Sequence, residues 1–149
     1  MATVFKDQRK REFLNPEGGD RPLRSPIAPE VLERARCYRK RRLVEQVQRA
    51  DCAAILLYDP INIRYALDVT NMQVWAMHNP FHYALVLADS HAIDFQYRGA
   101  DHLARNLSTV DEVRHGTSWF HAMVGDQTYD RARRWAAEID ALLREHGGR

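Results

Sequence analysis

The sequence predicts an α/β fold, in which helices flank a β-sheet. Two apolar runs, residues 53–58 and 83–88, have the length of strands and no polar alternation, which is typical of strands buried on both faces of a sheet. A third run, residues 93–97, alternates apolar and polar side chains as a half-exposed strand does. Apolar residues also recur at helical spacing before the first run and near the end of the chain.

Composition is that of an ordinary globular protein. The 149 residues are 45% hydrophobic and 28% charged, enough for one domain with a core of its own. No apolar run approaches the roughly 18–20 residues of a transmembrane helix, and the N-terminus lacks the apolar core of a secretory signal. Without an export signal, Cys37 and Cys52 are expected to be reduced thiols. We therefore expect a cytoplasmic protein with no membrane partner.

Two parts of the chain are expected. Residues 1–29 contain six of the glycines and prolines that break helices and strands, and they predict a partly flexible arm that packs on a partner subunit, or a disordered tail. Residues 30–149 predict the folded domain. It begins with a helix over residues 30–50, because Val31, Ala35 and Tyr38 share one face.

The middle of that helix is densely basic over residues 34–42. Such a run is typical of a phosphate-backbone contact, or of a solvated face whose arginines meet carboxylates of a neighbouring domain or subunit. We favour the second interpretation, because Tyr38 is the only aromatic residue in the run and no zinc or helix-turn-helix spacing accompanies it. With a net charge of only +2, no nucleic-acid partner is expected.

A short helix should follow the first strand, which we expect in the centre of the sheet. Asp59 is suited to cap the helix and Pro60 to occupy its first position, with the helix running to about Leu67. Turn residues at 88–91 then connect the second and third strands as an antiparallel hairpin.

The last third of the chain predicts a helical turn, a strand and a long helix. The turn spans residues 100–105 and the short strand residues 110–113. Asp126 or Thr128 should cap the final helix, and the glycine pair at 147–148 should end it in a left-handed conformation.

Polar and aromatic side chains concentrate between the short helix and the second strand. Groups of this kind at a strand end hold small molecules or partners: Thr70, Asn71, Gln73, Trp75, His78, Asn79 and His82. Trp75 and Met72 also lie at helical spacing and could simply belong to the core. Alternatively, Asn71, Trp75 and His78, with Gln73, line the mouth of an active site that another domain completes, and the Trp75 ring attracts a cationic ligand.

No catalytic residue and no metal ligand is predicted in this chain. His78 and His82 are four residues apart, but Pro80 disfavours a helix between them. No nucleophile elbow or glycine-rich phosphate loop occurs, and the adjacent carboxylates Asp111 and Glu112 are typical of a solvated turn.

One stretch resembles a known family. Residues 62–71, NIRYALDVTN, resemble the N-terminal domain of the creatinase/prolidase superfamily, which includes Xaa-Pro peptidases and has a pita-bread catalytic domain. The longer string over residues 62–86 is most similar to the branch that contains dimethylsulfoniopropionate lyases. The resemblance is specific over about residues 50–100 and looser over 31–146. It implies a mixed sheet of about five or six strands flanked by helices.

The same resemblance implies a function. In that family a C-terminal catalytic domain holds two divalent metal ions and supplies the chemistry, while the small domain helps build a homodimer and shields the active site. We expect that catalytic domain to be absent from these 149 residues. The chain is thus expected to be the non-catalytic N-terminal domain of a metal-dependent Xaa-Pro peptidase-like hydrolase or a dimethylsulfoniopropionate lyase-like enzyme. Its partners would be the missing domain, a second copy and a small-molecule substrate, with no cofactor of its own.

Two other classes of function stay open. The chain could be a free-standing ligand-binding or dimerisation module without enzyme activity. It could also be a nucleic-acid binder that uses the basic run at residues 34–42.

Overall fold

The computed structural model describes residues 27–70 and 81–147. Its helices are α1 (Pro29–Arg49), α2 (Pro60–Leu67), α3 (His121–Val124) and α4 (Thr128–Glu145). Its strands are β1 (Ala54–Leu57), β2 (Tyr83–Leu87), β3 (Ala92–Gln96) and β4 (Glu112–His115). Short 3-10 turns lie at Asp101–Leu103 and Gly125–Gln127. The predicted α/β class is confirmed, as are the helical turn near residue 102 and the strand before residue 116.

The sheet is mixed, as expected. Its order is β1-β2-β3-β4, with antiparallel pairing of β1 with β2 and of β2 with β3, and parallel pairing of β3 with β4. The described residues contain four strands, fewer than the five or six expected. Among these four, β1 lies at an edge and not in the centre, because β2 pairs on its other side with its own hairpin partner β3.

Helices α1 and α2 cover one face of the sheet. Val44 of α1 and Leu67 of α2 are buried there against Ala84 and Val86 of β2. Because residues two apart in a strand share a face, β2 and β3 place alternate side chains in this layer and the remainder in the layer beneath α4. Every residue of β2 and β3 is buried, so both strands lie between two helical layers.

Helix α2 begins and ends as its sequence dictates. The Asp59 carboxylate accepts hydrogen bonds from the N–H groups of Ile61, at 2.6 Å, and Asn62, at 3.1 Å, which satisfies two of the free donors of the first turn. Pro60 takes the first helical position. The helix ends where Asp68 adopts a left-handed φ of 62°.

Helix α4 covers the other face of the sheet. Leu142 packs there with Tyr83 and Phe95. The predicted caps of this helix are wrong. Gln127 takes the N-cap position and makes no side-chain capping hydrogen bond, since the turn Gly125–Gln127 runs directly into the helix. Thr128 instead donates its hydroxyl proton to the Gly125 carbonyl, at 2.7 Å.

The helix ends as predicted at its first glycine. Gly147 has a φ of 74°, in the left-handed region. Gly148 lies outside the described residues.

The basic run of α1 meets carboxylates, but those of its own chain. Arg36 and Arg39 contact the two carboxylate oxygens of Asp68, at 2.8 and 3.2 Å, and Lys40 contacts Asp111 at 2.8 Å. These carboxylates belong to the same chain, whereas contact of the basic run with a neighbouring domain or subunit stays a prediction.

Candidate functional site

The predicted substrate contacts Asn71, Trp75 and His78 lie outside the described residues. Gln73, Met72 and Asn79 lie outside them as well. The structure describes the protein on both sides of this segment: Thr70 at the end of α2 and Phe81 with His82 at the start of β2. The surroundings of these two ends form the candidate site.

A groove of about 350 Å³ borders the Thr70 end. Its lining combines two arginines with apolar and aromatic side chains: Arg39, Pro60, Ile61, Arg64, Tyr65, Val69 and Thr70. Ile61 and Tyr65 are 67% and 40% exposed, so this wall presents apolar surface to solvent. A volume in this range is at the lower end of small-molecule pockets.

Two ion pairs hold the end of α2 in place beside the groove. Asp68, which ends α2, accepts a hydrogen bond from the Arg36 Nε at 2.8 Å and another from Arg39 at 3.2 Å. The bond to Asp68 is the largest influence on Arg36, and it raises the pKa of the guanidinium above its ordinary value. The two ion pairs therefore hold the end of α2, and with it Thr70, against α1.

A buried polar cluster lies at the other end of the segment. His82 Nε2 is 2.9 Å from Asp94 Oδ1 and 3.1 Å from Gln96 Nε2. All three side chains are at most 3% exposed. The hairpin register, in which Tyr83 faces Phe95, puts His82 directly across from Gln96 and diagonal to Asp94.

His82 Nε2 cannot hydrogen-bond to both Asp94 Oδ1 and Gln96 Nε2 in this arrangement. If His82 Nε2 carries the proton, it donates to Asp94 and cannot accept from the Gln96 amide nitrogen. Turning the Gln96 amide over brings its oxygen to the shared Nε2–H and satisfies that oxygen, which otherwise has no partner. A proton on Nε2 is therefore compatible with both neighbours only when the Gln96 oxygen faces the ring.

One oxygen of Asp94 has no partner among the residues that the structure describes. This atom, Oδ2, is buried. An unpaired buried acceptor is costly, so His82 is the contact that keeps this carboxylate in the core. The cluster joins polar side chains of β3 to His82 across the hairpin.

This cluster was missed in the sequence. The alternation of β3 predicts that Asp94 and Gln96 face solvent, yet they are 0% and 1% exposed. The prediction of a half-exposed strand is wrong because α1 and α2 cover that face. The signal that could have found the cluster is the pairing of His82, just before an apolar strand, with two polar residues of the next strand.

A metal centre of this chain is not supported by the part of the chain that the structure describes. Residues 27–70 and 81–147 contain no group of three histidine, cysteine, aspartate or glutamate side chains that could hold an ion. The absence of any ligand for a metal in the whole chain stays a prediction. Both cysteines, Cys37 and Cys52, are free thiols and exposed. Within the same residues, no helix has the length and apolar character needed to cross a bilayer.

Comparison with known proteins links the chain to two lyases. It is 39% identical over 117 residues to a dimethylsulfoniopropionate lyase DddP of Roseovarius nubinhibens, and 39% identical over 115 residues to that of Roseobacter denitrificans. No protein-family model matches the sequence. The matched regions cover 78% and 77% of this chain but only 26% of each lyase. The chain thus spans about a quarter of the length of the curated relatives it matches.

Proposed function

We propose that this chain is a non-catalytic N-terminal domain of an enzyme of the creatinase/prolidase superfamily, in the branch of dimethylsulfoniopropionate lyases. In this proposal the domain contributes to a homodimer and shields an active site that a larger catalytic domain provides. The observation that carries it is the 39% identity with two such lyases over more than three quarters of the chain.

The described residues favour a structural role for this domain in the proposed enzyme over a catalytic one. They fold around two core clusters and lack a group of three metal-ligating side chains. The proposal assigns the pair of divalent metal ions to the catalytic domain.

Asn71, Trp75 and His78 are the proposed substrate contacts of this domain. They follow Thr70, which lines the groove with Tyr65 and Arg64. The name of the two relatives specifies a sulfonium compound, and the face of a tryptophan ring attracts such a cation. The proposal therefore gives Trp75 the sulfonium group.

A domain exchange tests the function. The matching segment of the Roseovarius nubinhibens lyase is replaced by this chain, and consumption of dimethylsulfoniopropionate is followed by proton NMR. We expect activity in the chimera and none in the isolated chain or in the lyase with the segment deleted. A chimera that folds, forms the same oligomer as the parent lyase and yet consumes no substrate would contradict the proposal.

Trp75 is tested in the same chimera. Trp75→Ala should weaken substrate binding by about 2- to 30-fold, since a cation–π contact contributes roughly 0.5–2 kcal/mol. Trp75→Phe should recover part of the affinity, because a phenyl ring keeps the contact in weaker form. If the alanine variant has an unchanged KM and kcat, Trp75 belongs to the core and does not contact the substrate.

The alternative is a free-standing ligand-binding or dimerisation module. It is favoured by one observation: the described residues bury both core clusters within a single chain, as an independently folding unit does. A cooperative unfolding transition of the isolated chain, together with an inactive chimera, is the result that this alternative predicts.

A further inference from the structure

A cavity lies where two parallel strands end. Strands β3 and β4 are parallel, so their carboxyl ends meet at one edge of the sheet. Arg98 follows β3 there, and residues 116–118 follow β4. The cavity has a volume of about 380 Å³. In open α/β sheets, ligands bind outside the carboxyl ends of the strands.

The backbone fixes one wall of this cavity. Gly116 donates its N–H to the Gln96 carbonyl at 2.9 Å, and a Cβ at this position would lie 2.3 Å from the Phe81 carbonyl oxygen. The next residue, Thr117, donates its N–H to the Tyr83 hydroxyl at 3.2 Å. Burial raises the pKa of Tyr83, so this hydroxyl stays neutral and keeps the bond. Only glycine allows so close an approach of β4 to the start of β2.

The part of the lining that the structure describes carries two arginines and no carboxylate. It is formed by Phe81, Arg98, His115, Gly116, Thr117, Ser118, Met123, Val124 and Arg131. Among the described residues, Arg98 has no carboxylate within 4 Å, and Arg131 contacts the Gln127 amide at 3.4 Å without an ion pair. Asp101 lies 3.8 Å from His115 but does not line the cavity.

Hydroxyl groups and apolar side chains complete the lining. Ser118 is 9% exposed and accepts a hydrogen bond from the Phe120 N–H at 3.3 Å. Phe81, whose ring lies 5.4 Å from that of Tyr97, and Met123 supply apolar surface. Two guanidinium groups beside an apolar wall suit an anion that also carries a hydrocarbon part.

We propose that this cavity binds a small organic carboxylate, with Arg98 and Arg131 holding the carboxylate and the hydrocarbon part packing on Phe81 and Met123. The planar guanidinium fork matches a carboxylate geometrically. A fully hydrated phosphate would gain nothing from the apolar wall. The proposal does not depend on the proposed function, because it uses the geometry of the cavity alone.

Calorimetric titration of the 149-residue chain with propionate tests this site. Propionamide, which has the same shape but no charge, is the matched probe, and inorganic phosphate tests for binding of any anion. We expect saturable binding of propionate, weakening as salt is added, and no binding of propionamide. Arg98→Gln and Arg131→Gln should each lower the affinity by about tenfold, the effect of losing a charge-assisted hydrogen bond.

Arg134→Gln provides the control. This arginine is exposed and lies on α4, the helix that also carries Arg131, but it does not line the cavity. Its substitution should leave propionate binding unchanged, and circular dichroism should show that all three variants are folded. The proposal is overturned if propionate does not bind, if propionamide or phosphate binds equally well, or if folded Arg98→Gln and Arg131→Gln variants keep full affinity.

Discussion

The contact of His82 with Asp94 holds a carboxylate in the core of the sheet. No described residue other than His82 donates to the side chain of Asp94, so removing the ring takes away the hydrogen-bond partner of a buried carboxylate. His82→Ala should therefore lower the free energy of unfolding by about 3–5 kcal/mol. In His82→Ala/Asp94→Ala, the loss should be smaller than the sum of the two single losses, because the second change removes the stranded charge. Urea unfolding followed by circular dichroism measures all four proteins.

A histidine on the surface provides the control for these stability measurements. His102 is exposed and contacts only the Gly99 carbonyl among the described residues, so His102→Ala should change stability by no more than about 0.5 kcal/mol. If the effects of His82→Ala and Asp94→Ala are additive, the two side chains are not energetically coupled. The hydrogen bond between His82 and Asp94 would then not stabilise the fold.

At the scale of elements, Asp59 is the residue that starts α2 and so positions the groove beside Thr70. Asp59→Ala removes the acceptor for two backbone N–H groups, and we expect it to cost about 0.5–2 kcal/mol of unfolding free energy. Asp59→Asn keeps an acceptor oxygen and should lose much less. Equal losses in the two variants, measured by urea unfolding, would show that the side chain contributes something other than a cap.

The Lys40–Asp111 contact ties α1 to the start of β4 and makes stability depend on pH. Burial alone would raise the pKa of Asp111, but hydrogen bonds from Lys40 Nζ and the Ala92 N–H, both at 2.8 Å, outweigh it and hold the pKa below the ordinary 3.8. A carboxyl whose pKa is lower in the folded state stabilises the fold above its unfolded pKa. That contribution is lost as the pH falls through the folded pKa.

Asp111→Asn should therefore be less stable than the wild type at neutral pH. The difference should shrink as the pH falls below about 4, where the wild-type carboxyl takes up its proton. Urea unfolding at a series of pH values measures this. Asp126→Asn, at an exposed carboxylate for which the described residues offer no ion pair, should follow the wild-type curve. A constant difference between Asp111→Asn and the wild type at all pH values would contradict the argument.

The elements that the sequence predicts correctly are those set by neighbouring residues. The start of α2 is specified by Asp59 and Pro60, which act on the first residues of the helix. The end of α4 is specified by Gly147. Those that it does not predict depend on distant parts of the chain. Nothing near residues 54–57 indicates that β1 lies at an edge of the described sheet, because the order of the strands depends on pairing with β2 and β3, which come after residue 82 in the chain.

At the scale of the whole molecule, the candidate site divides in the same way. An alternation of apolar and polar residues does not distinguish a strand face covered by helices from one open to water. The sequence therefore predicts that Asp94 and Gln96 are exposed. The Arg98–Arg131 cavity joins a strand end, a loop and a helix, and no local pattern predicts it. The predicted substrate contacts Asn71, Trp75 and His78 lie outside the described residues and stay a prediction.

The charge distribution of the molecule bears on the last alternative, nucleic-acid binding. The chain has a net charge of +2, and Arg36, Arg39 and Lys40 of the basic run are already paired with carboxylates of the same chain. Binding of a phosphate backbone draws its affinity from unpaired cations that displace counterions. We therefore expect no saturable binding of a labelled DNA or RNA duplex at low salt, measured by fluorescence anisotropy.

A variant that neutralises unpaired arginines of the basic run provides a second test of nucleic-acid binding. Arg34 and Arg42 show no ion pair among the described residues, so Arg34→Gln/Arg42→Gln removes the positive charge that is left for a phosphate. The double variant and the wild type should give the same flat titration. Tight binding by the wild type would contradict the expectation, provided that it falls steeply with added salt and is lost in the double variant. The α1 helix would then be a nucleic-acid interface whose internal ion pairs exchange for phosphates on binding.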